Sequence, residues 1–486
     1  MKHWVYFWMG LCLAGLFSAC RTDIQVNNYS EACSPVEAQY TDMVIPCNIA
    51  PLNFFVDAED GERGMIFSAG SYQTTAVCRR QAIIPDLKSW KKLLAEAKGG
   101  QIQIHDCVKT PEGWTAYKAF HIAVAEEPID PYLSYRLIPP GYEMWHEMGI
   151  YQRNLENFDE TPIVVNRQTD YNCMNCHSYC MQNPDKMMFH SRARNAGTIL
   201  AIDGNVVKLD TKTPHTLSAL VYPCWHPSGN FIACSVNDTK QFFHTHHDNR
   251  IEVVDLASDV VVYDVQQNNL ITSPLLSDKD VFETFPAFSA DGKTLYYCAA
   301  RKQDMPKDYE KVRYNLCAVS FDASNRTLGN RVDTLYNADV CRKSVSFPRV
   351  SPDGRRLMFT LSDYGNFSIW HQEADLWMID LETKETKALA ALNSPSVESY
   401  HSWSSNGRWV VFSSRRGDGL FTRVYIAYID ADGNAHTPFI LPQKKGDFYA
   451  KQMYSYNIPE MMKGPVTVSR HTLIETLRGE DIKHVN

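Results

Sequence analysis

Cys173-Met174-Asn175-Cys176-His177 places two thiols three residues apart, with an imidazole directly after the second. This is the spacing of covalent haem attachment. Two thiols one helical turn apart form thioethers to the two vinyl groups, and the adjacent His177 becomes the proximal ligand of the iron. A sixth ligand lies within reach, because Met187, Met188 and His190 follow soon after. Asn183-Pro184-Asp185-Lys186 has a proline where a helix accepts one, so the spacing predicts a short helix presenting those side chains. A methionine ligand would raise the reduction potential, although Met187 and Met188 suit core packing equally well. The same segment has two other readings. Cys173, Cys176 and Cys180 with His177 or His190 make a four-ligand zinc (or iron–sulfur) set, though zinc sites usually repeat the C-x-x-C pair, which occurs once here. A disulfide among these cysteines is the third.

Other chemistry is sparser. Phe243-His244-Thr245-His246-His247-Asp248 is dense enough in histidine to hold a metal, and reads equally as a solvated loop. Glu398, His401 and Asp363 are candidates to line a channel, or else strand-end residues. The chain has no G-x-S-x-G, P-loop or dinucleotide fingerprint. A net charge of −8 gives no reason to expect nucleic acid as a partner.

The elements that must position these residues begin with an export signal at 1–19. Trp4 to Phe17 is apolar, too short for a membrane span, and runs into small residues before Cys20. Residues 20–44 are polar and read as a tether. Residues 45–160 read as a β-rich module, α+β or sandwich-like. One helix is predicted there, capped by Asp86, with Leu87, Trp90, Leu93 and Leu94 on one face and Gly99-Gly100 ending it. Cys33, Cys47, Cys78 and Cys107 can pair in an exported protein, in an arrangement that spacing does not assign. The cysteine-rich segment occupies 161–195.

Residues 196–460 carry a repeat. Tyr222-Pro223-Cys224-Trp225, Phe285-Pro286-Ala287-Phe288, Phe347-Pro348-Arg349-Val350 and Tyr400-His401-Ser402-Trp403 each lead into a turn glycine, at 229, 292, 354 and 407, and then a second strand. The turn requires positive φ, hence glycine. Four strands per unit of roughly 50–60 residues is the pattern of a propeller blade. An earlier hairpin at 198–209 and a late strand-like run at 448–458 are expected to share a further blade. The remaining residues, 461–486, form a tail.

The Ser351-Pro352-Asp353-Gly354 turn and its relatives resemble the PD40 repeat of the TolB-like propellers. The chain as a whole is thus expected to be mainly β, an N-terminal module followed by a five- or six-bladed propeller. Leu16-Phe17-Ser18-Ala19-Cys20 resembles a bacterial lipobox, with Phe17 where Leu is usual, which would make Cys20 the lipidated residue. Plain secretion with Cys20 as an ordinary thiol is the alternative. The stretch from Tyr135-Arg136-Leu137-Ile138-Pro139-Pro140-Gly141-Tyr142-Glu143 to Phe189-His190-Ser191-Arg192 resembles Gram-negative lipoproteins that join C-x-x-C-H to such a propeller. These resemblances imply an envelope lipoprotein on the outer membrane or the periplasmic side. It would be anchored to the membrane, would bind a protein or small molecule on its propeller face, and would carry haem c for electron transfer. The alternative is a binding or scaffolding propeller in which the cysteines are structural, through zinc or a disulfide.

Overall fold

The turns decide the local structure first. The Ser289 hydroxyl donates to Asp291 Oδ1 (2.6 Å), which also accepts from the Lys293 amide (3.0 Å), while Ser289 Oγ accepts from the Thr294 amide (3.0 Å). Ser351 with Asp353 and Ser404 with Asn406 repeat the first of these bonds at 2.5 and 2.6 Å. Each turn closes on a glycine in the left-handed region, with φ of 74°, 75°, 73° and 67° at Gly229, Gly292, Gly354 and Gly407. Gly407→Ala should cost about 1–2 kcal/mol for the left-handed backbone alone, since a Cβ there meets only Pro352, at 3.4 Å. Gly292→Ala should cost clearly more. Its Cβ would lie 2.1 Å from Nε2 of His226, whose ring is held by the Gly292 carbonyl and the Ser228 hydroxyl. Thermal unfolding of the two variants ranks them directly.

The computed structural model describes residues 24–56, 61–139, 147–245 and 249–486. Cys20 and the apolar run before it lie outside these residues, as do His246, His247 and Asp248. Six sheets radiate from a central axis, five of them four-stranded and one, blade one, carrying a short fifth strand at its edge. From the axis outward, blade one is Met174–Cys180, Asn183–Ser191, Gly197–Ile202 and Asn205–Asp210. Blades two to five follow in chain order, with inner strands Val221–Trp225, Val281–Phe288, Ser344–Val350 and Glu398–Trp403. Blade six is composite. Its inner strand, Ser455–Met462, pairs antiparallel with Tyr132–Ile138, which continues outward through Gly149–Asn154 and Glu160–Val165. Late and early segments thereby close the ring and leave no inner edge unpaired.

This closure redraws the divisions expected above. Residues 132–165 belong to the propeller rather than to the module before it. The 161–195 segment does not stand alone but supplies the outermost strand of blade six and the two inner strands of blade one. The hairpin at 198–209 completes blade one, so it does not share a blade with the late strand. Asn183-Pro184-Asp185-Lys186 starts a strand, not a helix. Pro184 is tolerated because the register slips between Tyr179 and Cys180 at this end of the hairpin. The tail is also structured. The helix Arg470–Arg478 packs Leu473, Ile474 and Leu477 against strands of blades one and six, and Lys483–His484 pairs with the outer strand of blade one.

The N-terminal module is a nine-stranded mixed sheet with one helix, Leu87–Ala97, laid on it. Asp86 caps that helix by accepting from the Ser89 amide (3.0 Å), and Trp90, Leu93 and Leu94 are buried beneath it, as their spacing predicts. The module shares a core with blades five and six, where Trp409, Val411 and Tyr456 join Phe54, Phe67 and Trp90. Asp130 adds two hydrogen bonds to Ser405, at 2.7 and 2.6 Å.

Candidate functional site at the propeller axis

Every inner strand carries a bulge at the same place. The register slips between Asn175 and Ser178, Val221 and Cys224, Thr284 and Ala287, Ser346 and Arg349, Ser399 and Ser402, and Asn457 and Glu460. At each bulge one non-glycine residue takes positive φ: Cys176 (56°), Tyr222 (50°), Phe285 (50°), Phe347 (52°), Tyr400 (51°) and Ile458 (53°). Extra residues of this kind bend a strand and re-aim a side chain. Here they line a waist on the axis. Phe285 and Phe347 have ring centroids 4.2 Å apart, Tyr222 and Phe285 4.5 Å, and Phe347 and Tyr400 4.9 Å. The residue after the bulge is Pro223, Pro286, Pro348 or Pro459 in four blades, and His177 or His401 in the other two.

Cys176 and His177 are therefore blade one's version of the repeated aromatic–proline pair. This explains the C-x-x-C-H spacing without a cofactor, and the geometry does not fit haem c. The motif lies on a strand, not a helical turn. Cys176 and His177 border a cavity of about 20 Å³, room for about one water, whereas Cys173 borders a different and wider cavity on the far side of the waist. A porphyrin bonded to both sulfurs has no place beside the His177 ring. Neither ring nitrogen makes a hydrogen bond of good geometry. Burial, reinforced by Arg136, pushes His177 down to about 3, so the ring is neutral.

The proposed axial ligands are equally placed by packing. Met187 and Met188 point to opposite faces of Asn183–Ser191, into the cores on either side of blade one. His190 hydrogen-bonds Thr198 Oγ1 through Nδ1 (3.0 Å), and burial pushes it down to about 4. The zinc set is not assembled either. Cys180 sits at the far end of its strand, its thiol 3.7 Å from the His226 carbonyl, and among the described residues no three metal-ligating side chains converge. Each of the cysteines from Cys33 to Cys341 is a free thiol, so no disulfide forms among Cys33, Cys47, Cys78 and Cys107. Of the suggested channel residues only His401 reaches the axis. Glu398 is buried against Arg416 (2.9 Å), and Asp363 pairs with Lys343.

The inner strands all run the same way along the axis, so the waist divides the channel into two mouths. Beyond it, a cavity of about 130 Å³ is lined by residues such as Cys224, Arg349, Trp403 and Glu460. Before it opens a funnel of about 600 Å³, with Tyr222, Tyr400 and Ile458 at its floor and Arg136, Arg192, Arg415, Cys173 and His190 on its wall. One side of that wall is a long hairpin of blade two, Phe231–Phe243 and Ile251–Asp264.

Two carboxylates tie this hairpin to the neighbouring blades. Asp255 accepts from Asn237 (2.9 Å), the Tyr314 hydroxyl (2.8 Å) and Asn366 (2.7 Å). Glu252 accepts from the Tyr364 hydroxyl (2.7 Å) and meets His371 Nε2 (3.1 Å), whose Nδ1 faces Glu373 (3.5 Å). Burial alone would strip the proton from His371, but the hydrogen bonds and charges of Glu252 and Glu373 hold it up at about 9. A histidine raised in the folded state stabilises it fully below its unfolded value of about 6.5. That contribution is lost as pH rises through about 9. It amounts to about 3 kcal/mol. Between pH 6.5 and 10 the melting temperature of the protein should therefore fall relative to that of His371→Gln.

Of the funnel residues, Cys173 and His190 were singled out in the sequence for other roles, while the three arginines were missed. Arg136, Arg192 and Arg415 lie on blade six, just after the second strand of blade one, and just after the second strand of blade five. Tyr222 and Tyr400 did carry a signal, since each opens a repeat at the position that bulges toward the axis.

No family model matches the chain, and none of the curated proteins matches it. Among solved structures it is similar to TolB from Acinetobacter baumannii, at 13% identity and a TM-score of 0.38 over 77% of this chain and 85% of that one. It is also similar to the β-propeller domain of the trilobed protease from Pyrococcus furiosus, at 10% identity and a TM-score of 0.33 over 70% and 82%. The chain is a β-propeller, and its strand pairing makes the ring six-bladed.

Proposed function

We propose that this chain is a binding propeller of the bacterial envelope, anchored through Cys20, which receives a small ligand in its funnel. In this reading Cys173 to Cys180 is a structural strand. The observation that carries it is the funnel itself, about 600 Å³ and floored by the aromatic waist. That volume lies within the range of small-ligand sites, and its mixture of aromatic walls with a few convergent polar groups is typical of them. A floor that stops a ligand suits retention rather than passage. The resemblance of residues 1–20 to a signal sequence ending in a lipobox supports the envelope location and the membrane anchor.

The test is a thermal-shift screen of the mature chain against soluble small molecules, repeated on Ala219→Trp, which fills the funnel from its wall. A ligand at a hundred times its Kd stabilises the folded state by about 2.7 kcal/mol. Hits that raise the melting temperature of the natural chain and not of Ala219→Trp support the reading. Hits that shift both equally defeat it. A second arm addresses the cysteines. Co-expressed in the periplasm with cytochrome c maturation proteins, the chain should show no Soret band that survives acid-acetone extraction. Such a band, lost in Cys173→Ala, would restore the electron-transfer reading.

A further inference from the structure

The funnel holds an imbalance of charge that folding does not explain. Arg136 is 8% exposed and Arg415 5%. Several other arginines find carboxylates, as Arg326 does with Asp264, Arg416 with Glu398 and Arg423 with Asp418, while buried Arg153 is held by Gln443 and the Pro442 carbonyl. Among the described residues neither Arg136 nor Arg415 has a carboxylate within 4 Å, nor does Arg192 at the exposed rim. Arg415 Nε donates to the Ile369 carbonyl (2.9 Å), another of its nitrogens to the Leu420 carbonyl, and the guanidinium lies 3.3 Å from the centroid of the Trp370 ring. Arg136 donates to the Met174 carbonyl at 3.4 Å, and its Nε has no acceptor.

These groups converge. Tyr400 on the funnel floor is within electrostatic reach of Arg136 and Arg415, and Cys173 is within reach of Arg136 and Arg192. Asp238, exposed on the blade-two hairpin, is the one carboxylate among the described residues of the wall. Burial pushes Arg415 down to about 9, an effect that Tyr400 and the more distant carboxylate of Asp418 offset only in part. Such a cation is unfavourable in the free protein and becomes favourable when an anion is brought to it. The guanidinium fork matches the paired oxygens of a carboxylate or phosphate, and its stacking on Trp370 fixes the plane in which that fork is offered.

We propose that the funnel is an oxyanion site, in which Arg136, Arg415 and Arg192 hold the carboxylate or phosphate group of a small ligand above the Tyr222–Tyr400 floor. The inference rests on the binding reading given above and assigns the ligand its chemical class. Isothermal titration of the mature chain at low salt tests it with citrate, inorganic phosphate and glucose as probes. Citrate or phosphate should bind with a Kd below about 1 mM, and glucose should not. Which of the two binds more tightly separates a carboxylate site from a phosphate site. Arg192→Gln, at an exposed position where folding is not at risk, and Arg136→Gln should each weaken binding by about tenfold or more, and Ala219→Trp should abolish it. Raising the salt should weaken it as well. The proposal falls if neither anion binds, or if the affinity is unchanged in both arginine variants. Should neutral molecules emerge from the thermal-shift screen, blocked by Ala219→Trp while no anion binds, the oxyanion assignment fails and the binding reading stands. If nothing binds in the funnel, both fail.

Discussion

A chain that stops at Tyr454 should fail to fold into a closed propeller. The truncation removes the inner strand of blade six, Ser455–Met462, and bares the edge of Tyr132–Ile138 along its whole length. Tyr456, Met461 and Met462 go with it, and so do Leu473 and Leu477 of the C-terminal helix, all buried to within 1%. Burial of each such side chain stabilises by about 1.5–3 kcal/mol. Together they approach the entire net stability of an ordinary domain, about 5–15 kcal/mol. Hydrogen bonds are orphaned too. Ser413 and Thr422 both donate to the Tyr456 carbonyl, at 2.9 and 2.8 Å, and Ser402 donates to the Pro459 carbonyl at 2.8 Å. A chain ending instead at Gly479 loses only the short edge strand at Lys483–His484 and its contacts, and should remain a folded monomer destabilised by about 1–3 kcal/mol. Size-exclusion chromatography and protease resistance separate the two. A monomeric, protease-resistant chain ending at Tyr454 would contradict the composite blade.

The second large effect is at the waist. Phe347 touches Phe285, Tyr400 and Tyr222, with centroids 4.2, 4.9 and 6.3 Å away. Phe347→Ala should cost about 3–5 kcal/mol, the usual loss for a buried phenylalanine. The backbone adds a sharper expectation. At φ of 52° the residue is held in the left-handed region, which disfavours alanine by about 1–2 kcal/mol and glycine hardly at all. Phe347→Gly should therefore be as stable as Phe347→Ala or more so. This reverses the ordinary order in a strand, where glycine is worse than alanine by about 0.5–1 kcal/mol. Equilibrium denaturant unfolding of the three chains gives the ranking. If the glycine variant is the least stable, the bulge does not carry the strain assigned to it.

Local signals were readable in the sequence wherever one residue type answers one local need. The four turn glycines were, and so were Asp86 and the buried face of its helix. The conformation of the cysteine segment was not legible, because C-x-x-C-H specifies spacing and not conformation. The same five residues fit a helical turn facing a porphyrin or a bulged strand facing an axis, and only the alignment of Cys176-His177 with Tyr400-His401 decides between them. Pro184 was read as a helix start for the same reason, when it opens the second strand of blade one. Blade six was hidden by distance along the chain, since nothing in Tyr132–Ile138 names Ser455–Met462 as its partner. The funnel arginines were hidden because only the assembled blades six, one and five bring Arg136, Arg192 and Arg415 to one cavity, and each of them alone reads as an ordinary charged residue.

The composite sixth blade also sets an order of events. A growing chain presents Tyr132–Ile138 long before Ser455–Met462 has been made, so this strand must wait beside blade one with its hydrogen-bonding edge open. Pairing so remote in sequence makes for slow maturation, and an idle edge is a template for joining another molecule's strand. The shared core of Trp409, Tyr456, Phe54 and Trp90 couples arrival of the last strand to docking of the N-terminal module. Ring closure and module docking should then occur as one step, and the interval before that step is where this chain is most exposed to loss by aggregation.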